Sequence, residues 1–126
     1  MRKESGKMKI LNFYDQEHEK FFKEHNGEIL DPYYRSLVYL LGLVKETREH
    51  YKSIYNEQKK EVNIEGLKES WQTGTSIIVC RLALNLFNGF TGLEETETKA
   101  YVVDSIFYNK EYAPYFWEAV KIRFSI

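Results

Sequence analysis

Cysteine, proline and glycine are all scarce in this chain. Cys80 is the only cysteine among 126 residues, which excludes a disulfide within the chain and a zinc site built from its cysteines. Two prolines and seven glycines argue against a turn-rich β architecture and against a disordered chain. Aromatic residues make up 16% of the sequence, so they must supply much of the core of a single domain.

A strong charge of either sign is also missing. The formal net charge is −1, so the overall balance does not attract the chain to nucleic acid or to a membrane. Residues 70–92 are the stretch poorest in charge, but Arg81 and several polar residues interrupt it, so we expect no membrane span and no signal peptide. A reducing, cytoplasmic location is the expectation.

The stretch 70–92 is also the centre of the predicted fold. Apolar residues fall nearly all the way round a helix over 75–88, which is typical of a helix packed on several sides. Thr75 is its predicted N-cap, and Gly89 is the residue expected to end it. We therefore predict an all-α protein, a compact and irregular bundle of five to six helices around this buried helix.

Caps, prolines and charge patterns mark the rest of the chain. Residues 45–60 alternate in charge, which predicts a solvent-facing helix or helix pair. Residues 1–9 are basic and lack apolar periodicity, so we expect a flexible tail followed by a single helical domain over 10–126. The other predicted helices start at Asp15, at Asp31-Pro32 and at Ala113-Pro114.

His18 and His25 lie on one face of the first predicted helix. They are seven residues apart, and Glu17 and Glu24 stand beside them. Zinc would need a third ligand from elsewhere, and no residue marks one. A solvated helix face is therefore the preferred interpretation, and we predict no metal site.

A polar stripe crosses the central helix at Arg81, Asn85 and Asn88, which are spaced to share one face. One interpretation is structural: Arg81 pairs with a buried carboxylate, and the two amides tie helix ends together. The residues predicted for such a network are Arg81, Glu118, Asp104 and Arg35.

The other interpretation is that the stripe binds a ligand or a partner. Thr73 and Thr75 flank Gly74 ahead of a helix N-terminus, where an anion could bind, although a cap and a tight turn require the same residues. The candidate binding residues are then Arg81, Asn85, Asn88, Trp71, Thr73 and Thr75.

Four blocks of the sequence resemble an uncharacterised family of short proteins in Firmicutes: YRSLVYLLGL (34–43), WQTGTS (71–76), RLALNLFNG (81–89) and YAPYFWEAVKIRF (112–124). That family is associated with phages and integrative elements and has no assigned activity, so the resemblance transfers no catalytic residue. It implies a context in which small proteins are often stoichiometric binders, including inhibitors of host defence nucleases such as anti-CRISPR proteins.

The sequence therefore predicts a non-enzymatic binding protein of a mobile genetic element, without a cofactor, that inhibits a bacterial defence complex through protein–protein contact. No glycine loop for phosphate, nucleophile elbow or paired-histidine metal helix is present. One alternative is a small nucleic-acid-binding regulator, which would need Arg35, Arg81 and the basic tail exposed together. Another is an enzyme, which would need a cavity around Arg81, Asn85, Trp71 and Glu118. We expect neither strong nucleic-acid binding nor membrane association, and a homo-oligomer is left open.

Overall fold

Helices make up most of the part of the chain that the structure, a computed structural model, describes: residues 10–92 and 94–126. The predicted all-α bundle is confirmed, and the predicted tail over 1–9 lies outside the described residues. The α-helices are α1 (Gln16–Glu24), α2 (Pro32–Leu41), α3 (Lys45–Glu49), α4 (Tyr51–Ile54), α5 (Gly74–Asn88), α6 (Val103–Ile106) and α7 (Ala113–Phe124). The described residues also form two 3-10 helices, Ile64–Lys68 and Glu95–Tyr101, and a small antiparallel sheet of β1 (Tyr55–Asn56) and β2 (Glu61–Val62).

Helices α1, α2 and α5 each begin at a residue whose side chain caps the helix. Asp15 accepts the His18 N–H at 2.9 Å, and Asp31 accepts the Tyr33 N–H at 2.9 Å. The cap predicted for α5 was wrong by two residues, because Thr73 rather than Thr75 holds that position. Thr73 Oγ1 accepts the Ser76 N–H while Ser76 Oγ accepts the Thr73 N–H, so the two residues form a reciprocal capping box.

Helix α2 lies at the centre of the bundle. Its residues 36–41 are fully buried, and it packs against both α5 and α7, which contact each other much less. Helix α5 is also largely buried, but Arg81 and Asn85 on one side of it are only partly covered. The central position predicted for the helix over 75–88 is therefore shared with α2.

The end of α2 is closed by a set of hydrogen bonds that includes a buried histidine. A helix leaves its last four carbonyls without partners in the helix, so partners from outside are needed. The prediction that His18 is solvated was wrong: the residue is completely buried among aromatic rings, and its Nε2 lies 2.7 Å from the Tyr39 carbonyl, which satisfies the buried ring. Each of the last four carbonyls accepts one donor: Val38 accepts the Gly42 N–H, Tyr39 accepts His18 Nε2, Leu40 accepts the Leu43 N–H, and Leu41 accepts the Thr47 hydroxyl.

A short hairpin replaces the second half of the helix predicted over 45–60. Helices α3 and α4 occupy its first half, and the chain then passes through β1, a turn and β2. Asn56 Oδ1 accepts the Lys59 N–H at 2.9 Å, and Lys60 adopts a left-handed conformation with φ of 57°. Alternating charges are compatible with both a helix and a hairpin, so the charge pattern did not predict the turn.

None of the helices in the described residues is both long enough and apolar enough to cross a membrane.

Candidate functional site

The two asparagines of the predicted stripe hold the turn that follows α5. Asn85 Nδ2 donates to the Phe90 carbonyl at 3.2 Å, and Asn88 Oδ1 accepts the Phe90 N–H at 3.1 Å. Gly89, between them, has a φ of 80°, a conformation that favours glycine. The amides of Asn85 and Asn88 are therefore occupied by the main chain at this helix end.

Arg81 does not form the ion pair predicted for it. Among the ion pairs of residues 10–92 and 94–126, none joins Arg81 to Glu118 or Asp104. Arg81 instead lines a cavity of about 490 Å³ together with Tyr101 of the second 3-10 helix. Burial raises the pKa of Tyr101, and the charge of the neighbouring Arg81 opposes that rise. The physical reason is the orientation of α5, because Arg81 lies on the side that shares a cavity with the second 3-10 helix, whereas Glu118 lines a different cavity.

Glu118 and Arg35 are the two members of the predicted network that the structure brings to one place. Both line a cavity of about 310 Å³ at the end of α7, but each has other partners. Glu118 is buried, with Oε1 3.1 Å from Lys121 Nζ and Oε2 accepting the Asn12 N–H at 3.3 Å. Arg35 Nε donates to the Gly27 carbonyl at 3.1 Å, while its Nη2 is buried without a hydrogen-bond partner. Burial lowers the pKa of Arg35.

Thr73, Thr75 and Asp104 lie together beside a wide, open cleft at the start of α5. The Thr73 hydroxyl is used by the capping box, and Asp104 places a carboxylate where an anion would have to approach. Asp104 itself does not cap α6, because the helix begins at Val103 with Val102 in the cap position. The geometry of this cleft does not favour the anion site considered from the sequence.

Trp71 lies apart from the other predicted binding residues. Its ring stacks on His50 with centroids 4.4 Å apart, and its Nε1 donates to Glu69 at 2.7 Å. The residues proposed for an enzyme site are thus spread over separate places: Arg81 and Glu118 line different cavities, Trp71 stacks on His50, and Asn85 binds the turn after α5.

The histidines of α1 do not form a metal site. His18 is enclosed in the core, and His25 Nδ1 lies 3.0 Å from Glu57 Oε2 in the β1–β2 turn. Within the described part of the chain, no group of three or more histidine, cysteine, aspartate or glutamate residues could hold a metal ion.

A surface that was not predicted lies where the start of α2 meets the end of α7. The Arg123 guanidinium carbon is 3.7 Å from the centre of the Tyr33 ring and 4.5 Å from that of Phe124. Leu30, three residues before Tyr33, lines the cavity beside the end of α7 and is 70% exposed. We call Leu30, Tyr33, Arg123 and Phe124 the α2–α7 face.

Arg123 is fixed in place on this face. Its Nε donates at 2.7 Å to the carbonyl of Leu86, which lies in the last turn of α5 where carbonyls lack partners in the helix. The negative end of the α5 dipole attracts the guanidinium, and the ring of Tyr33 offers it a negative face. The sequence signal that could have found this residue is a basic side chain next to an aromatic one in a final helical turn.

Comparison with known proteins assigns the chain to a protein family. No curated protein and no solved structure is similar to the chain at a significant level. A model of the family of unknown function DUF6075 matches residues 8–126, which is nearly the whole sequence. The chain therefore belongs to the DUF6075 family of unknown function.

Proposed function

We propose that this protein is a non-enzymatic binding protein that uses the α2–α7 face to contact a protein partner in a fixed stoichiometry. The observation that carries the proposal is the ordered arginine between two exposed aromatic rings: Tyr33 is 45% exposed and Phe124 is 55% exposed. Tyrosine, phenylalanine and arginine are enriched at the energetic centres of protein interfaces.

The fixed position of Arg123 also lowers the side-chain conformational entropy that is lost when a partner binds. A free arginine side chain loses much rotamer freedom when a partner orders it, but Arg123 is already ordered by Leu86 and Tyr33. A partner that covers the face would bury Phe124 and Leu30, both more than half exposed in the free chain.

We further propose that the partner is a component of a bacterial defence complex and that the protein is encoded by a mobile genetic element. This part of the proposal is supported by the resemblance of the four sequence blocks to phage-associated and integrative-element proteins. It adds an identity for the partner and does not alter the surface proposed for binding.

The experiment is an inhibition titration with a purified defence nuclease complex. We expect cleavage to stop near one chain per complex, and complete inhibition at a small fraction of that ratio would contradict a stoichiometric binder. The Phe124→Ala variant should weaken inhibition at least about tenfold, as expected when a central interface aromatic is truncated. Tyr108→Ala is the matched control, because Tyr108 is 83% exposed and lies beside the start of α5.

A test in cells separates the two parts of the proposal. Expression of the chain should raise the plating efficiency of phage on cells that carry the defence system, and Phe124→Ala should abolish that rise. If no defence system in a broad panel responds, the defence role is refuted. If a partner is inhibited but Phe124→Ala and Tyr108→Ala behave alike, the α2–α7 face is refuted as the contact surface.

A further inference from the structure

A second cavity, of about 390 Å³, lies between the start of α2, the end of α5 and the β1–β2 hairpin. Aromatic rings of Tyr34, Tyr55 and Phe87 line it. The ring centroids of Tyr34 and Tyr55 are 5.7 Å apart, and those of Tyr55 and Phe87 are 5.6 Å apart in an edge-to-face arrangement. The three rings therefore form one continuous aromatic wall.

Two carboxylates share the cavity with these rings, and each is held by one oxygen. Asp31 Oδ1 caps α2, and Glu57 Oε2 accepts the Tyr51 hydroxyl at 3.1 Å and lies 3.0 Å from His25 Nδ1. Asp31 Oδ2 and Glu57 Oε1 make no hydrogen bond to any residue in 10–92 or 94–126. The hydrogen bond from His25 lowers the pKa of Glu57, so its carboxylate is charged at neutral pH.

Tyr55 supplies a further unused polar group. Its side chain is 4% exposed and lines the cavity, yet its hydroxyl has no hydrogen-bond partner among the residues that the structure describes. Because the hydroxyl is not one of the fully buried atoms without a partner, it keeps contact with solvent and is open to a donor from a bound molecule. Burial raises the pKa of Tyr55, and the neighbouring Tyr34, Asp31 and Glu57 add to the rise.

We propose that this cavity binds an organic cation with N–H groups, a guanidinium or an alkylammonium. Ring faces attract such a cation through their quadrupoles, and the free carboxylate oxygens and the Tyr55 hydroxyl accept its N–H donors. A neutral or anionic ligand would make no charge-assisted hydrogen bond with the two carboxylates. The proposal is independent of the α2–α7 face, because it concerns a different cavity and is tested without a protein partner.

Lys60 is the one charge in the lining that opposes a cation. It lies in the exposed turn of the hairpin, so its long side chain can carry the ammonium group into water. With Asp31 and Glu57 at −1 each and Lys60 at +1, the lining keeps a formal charge of −1. Removal of the Lys60 charge should therefore strengthen cation binding severalfold.

The test is an NMR titration of the protein with methylguanidinium, with methylurea as a neutral probe of nearly the same shape. We expect saturable shifts of the amides of residues 31–34, 55–60 and 86–88 with methylguanidinium at low millimolar concentration, and none with methylurea. The Asp31→Asn, Glu57→Gln double variant should weaken binding at least about tenfold while both caps and hydrogen bonds persist, because asparagine is as good an N-cap as aspartate. Lys60→Gln should tighten binding, and Tyr55→Phe should weaken it without loss of folding.

Three results would overturn the proposal: equal shifts with both probes, no saturable shift with methylguanidinium, or equal binding by the wild-type protein and the double variant.

Two larger probes then identify the source of the cation. Tighter binding of a capped Gly-Arg-Gly peptide than of agmatine supports an arginine side chain of another protein as the ligand. Tighter binding of agmatine supports a free small molecule, and failure of both to bind at this cavity counts against the site.

Discussion

His18 should make the stability of this protein depend on pH well above the range where most carboxylates titrate. Its Nδ1 accepts the Tyr14 N–H at 3.0 Å, so the ring proton must be on Nε2, which donates to the Tyr39 carbonyl. A second proton on Nδ1 would break the bond to Tyr14 and place a charge in a site with no exposure to water. Burial accordingly lowers the pKa of His18 to about 4.

The size of the effect follows from the difference between the folded and unfolded states. The folded pKa of about 4 lies below the unfolded value of about 6.5, so the unfolded chain binds the extra proton first as the pH falls. The contribution of neutral His18 to stability is complete above about pH 6.5 and is lost between about pH 6.5 and 4. The whole difference corresponds to roughly 3 kcal/mol, of which about 2 kcal/mol is lost between pH 7 and pH 5.

The assay is urea denaturation at pH 7, 6 and 5, for the wild-type protein and for His18→Gln. We expect the wild-type free energy of unfolding to fall by about 2 kcal/mol more than that of the variant over this range, a large part of a typical total of about 5–15 kcal/mol. An NMR titration should show no more than about a tenth of the His18 ring protonated at pH 5. Parallel pH curves for the two proteins, or a His18 ring that titrates near pH 6.5, would refute the reasoning.

Three further predictions concern other parts of the chain. Arg81→Ala should lower the free energy of unfolding by about 1 kcal/mol or less, because Arg81 is partly exposed and has no ion pair among the described residues. A loss of about 3–5 kcal/mol in a thermal melt would indicate a buried ion pair instead. Gly66→Ala should destabilise the protein by about 2 kcal/mol, since its Cβ would collide with the Ser53 carbonyl, whereas Gly74→Ala, where nothing lies within 4 Å, should be neutral or slightly stabilising in the same melts. DNA binding should be weak in a gel-shift titration, and tight binding with a steep salt dependence would contradict the balanced charge.

The features that were predicted correctly from the sequence are the local ones. Asp15, Asp31 and Gly89 cap their helices as expected, because a cap depends on residues within one turn of the chain. The helix that starts at Asp31-Pro32 was also predicted correctly, from the apolar residues that follow these two positions. Even the error at Thr73 is local, since two threonines two residues apart are both acceptable caps and only the reciprocal bond with Ser76 selects one.

The features that were missed depend on which helices pack together. Arg81 could not be assigned a partner from the sequence, because that choice required knowing that Arg81 and Glu118 line different cavities. His18 lies three and four residues before Phe21 and Phe22 on the buried face of α1, but its polar ring favoured the solvated interpretation. The acceptor that satisfies the ring in the core, the Tyr39 carbonyl, belongs to another helix and is not visible from the sequence. The cavity near Tyr55 combines residues of three segments more than twenty residues apart, and no spacing in the sequence marks such a combination.

Three of the four arginines in residues 10–92 and 94–126 donate to main-chain carbonyls rather than to carboxylates. Arg35 donates to Gly27, Arg48 to Gly42 and Arg123 to Leu86, each at or near the end of a helix. A carbonyl at a helix end needs a donor in any case, so such a guanidinium satisfies it without removing a carboxylate from the surface. Asp31 and Glu57 accordingly have no arginine partner and are held by a helix cap and by His25 and Tyr51.

The two proposed surfaces share the same short segments of the chain. Asp31 lines the aromatic cavity, and Tyr33, two residues later, belongs to the α2–α7 face. At the end of α5, the Leu86 carbonyl holds Arg123 on the face, while the next residue, Phe87, lines the cavity. We expect a partner that covers Tyr33 and also extends over Asp31 to place an arginine or lysine of its own in the cavity. If one partner occupies both surfaces, the double variant Phe124→Ala, Asp31→Asn should bind it more weakly than either single variant does. If the two surfaces bind separate ligands, the binding of each ligand should respond to only one of the two substitutions.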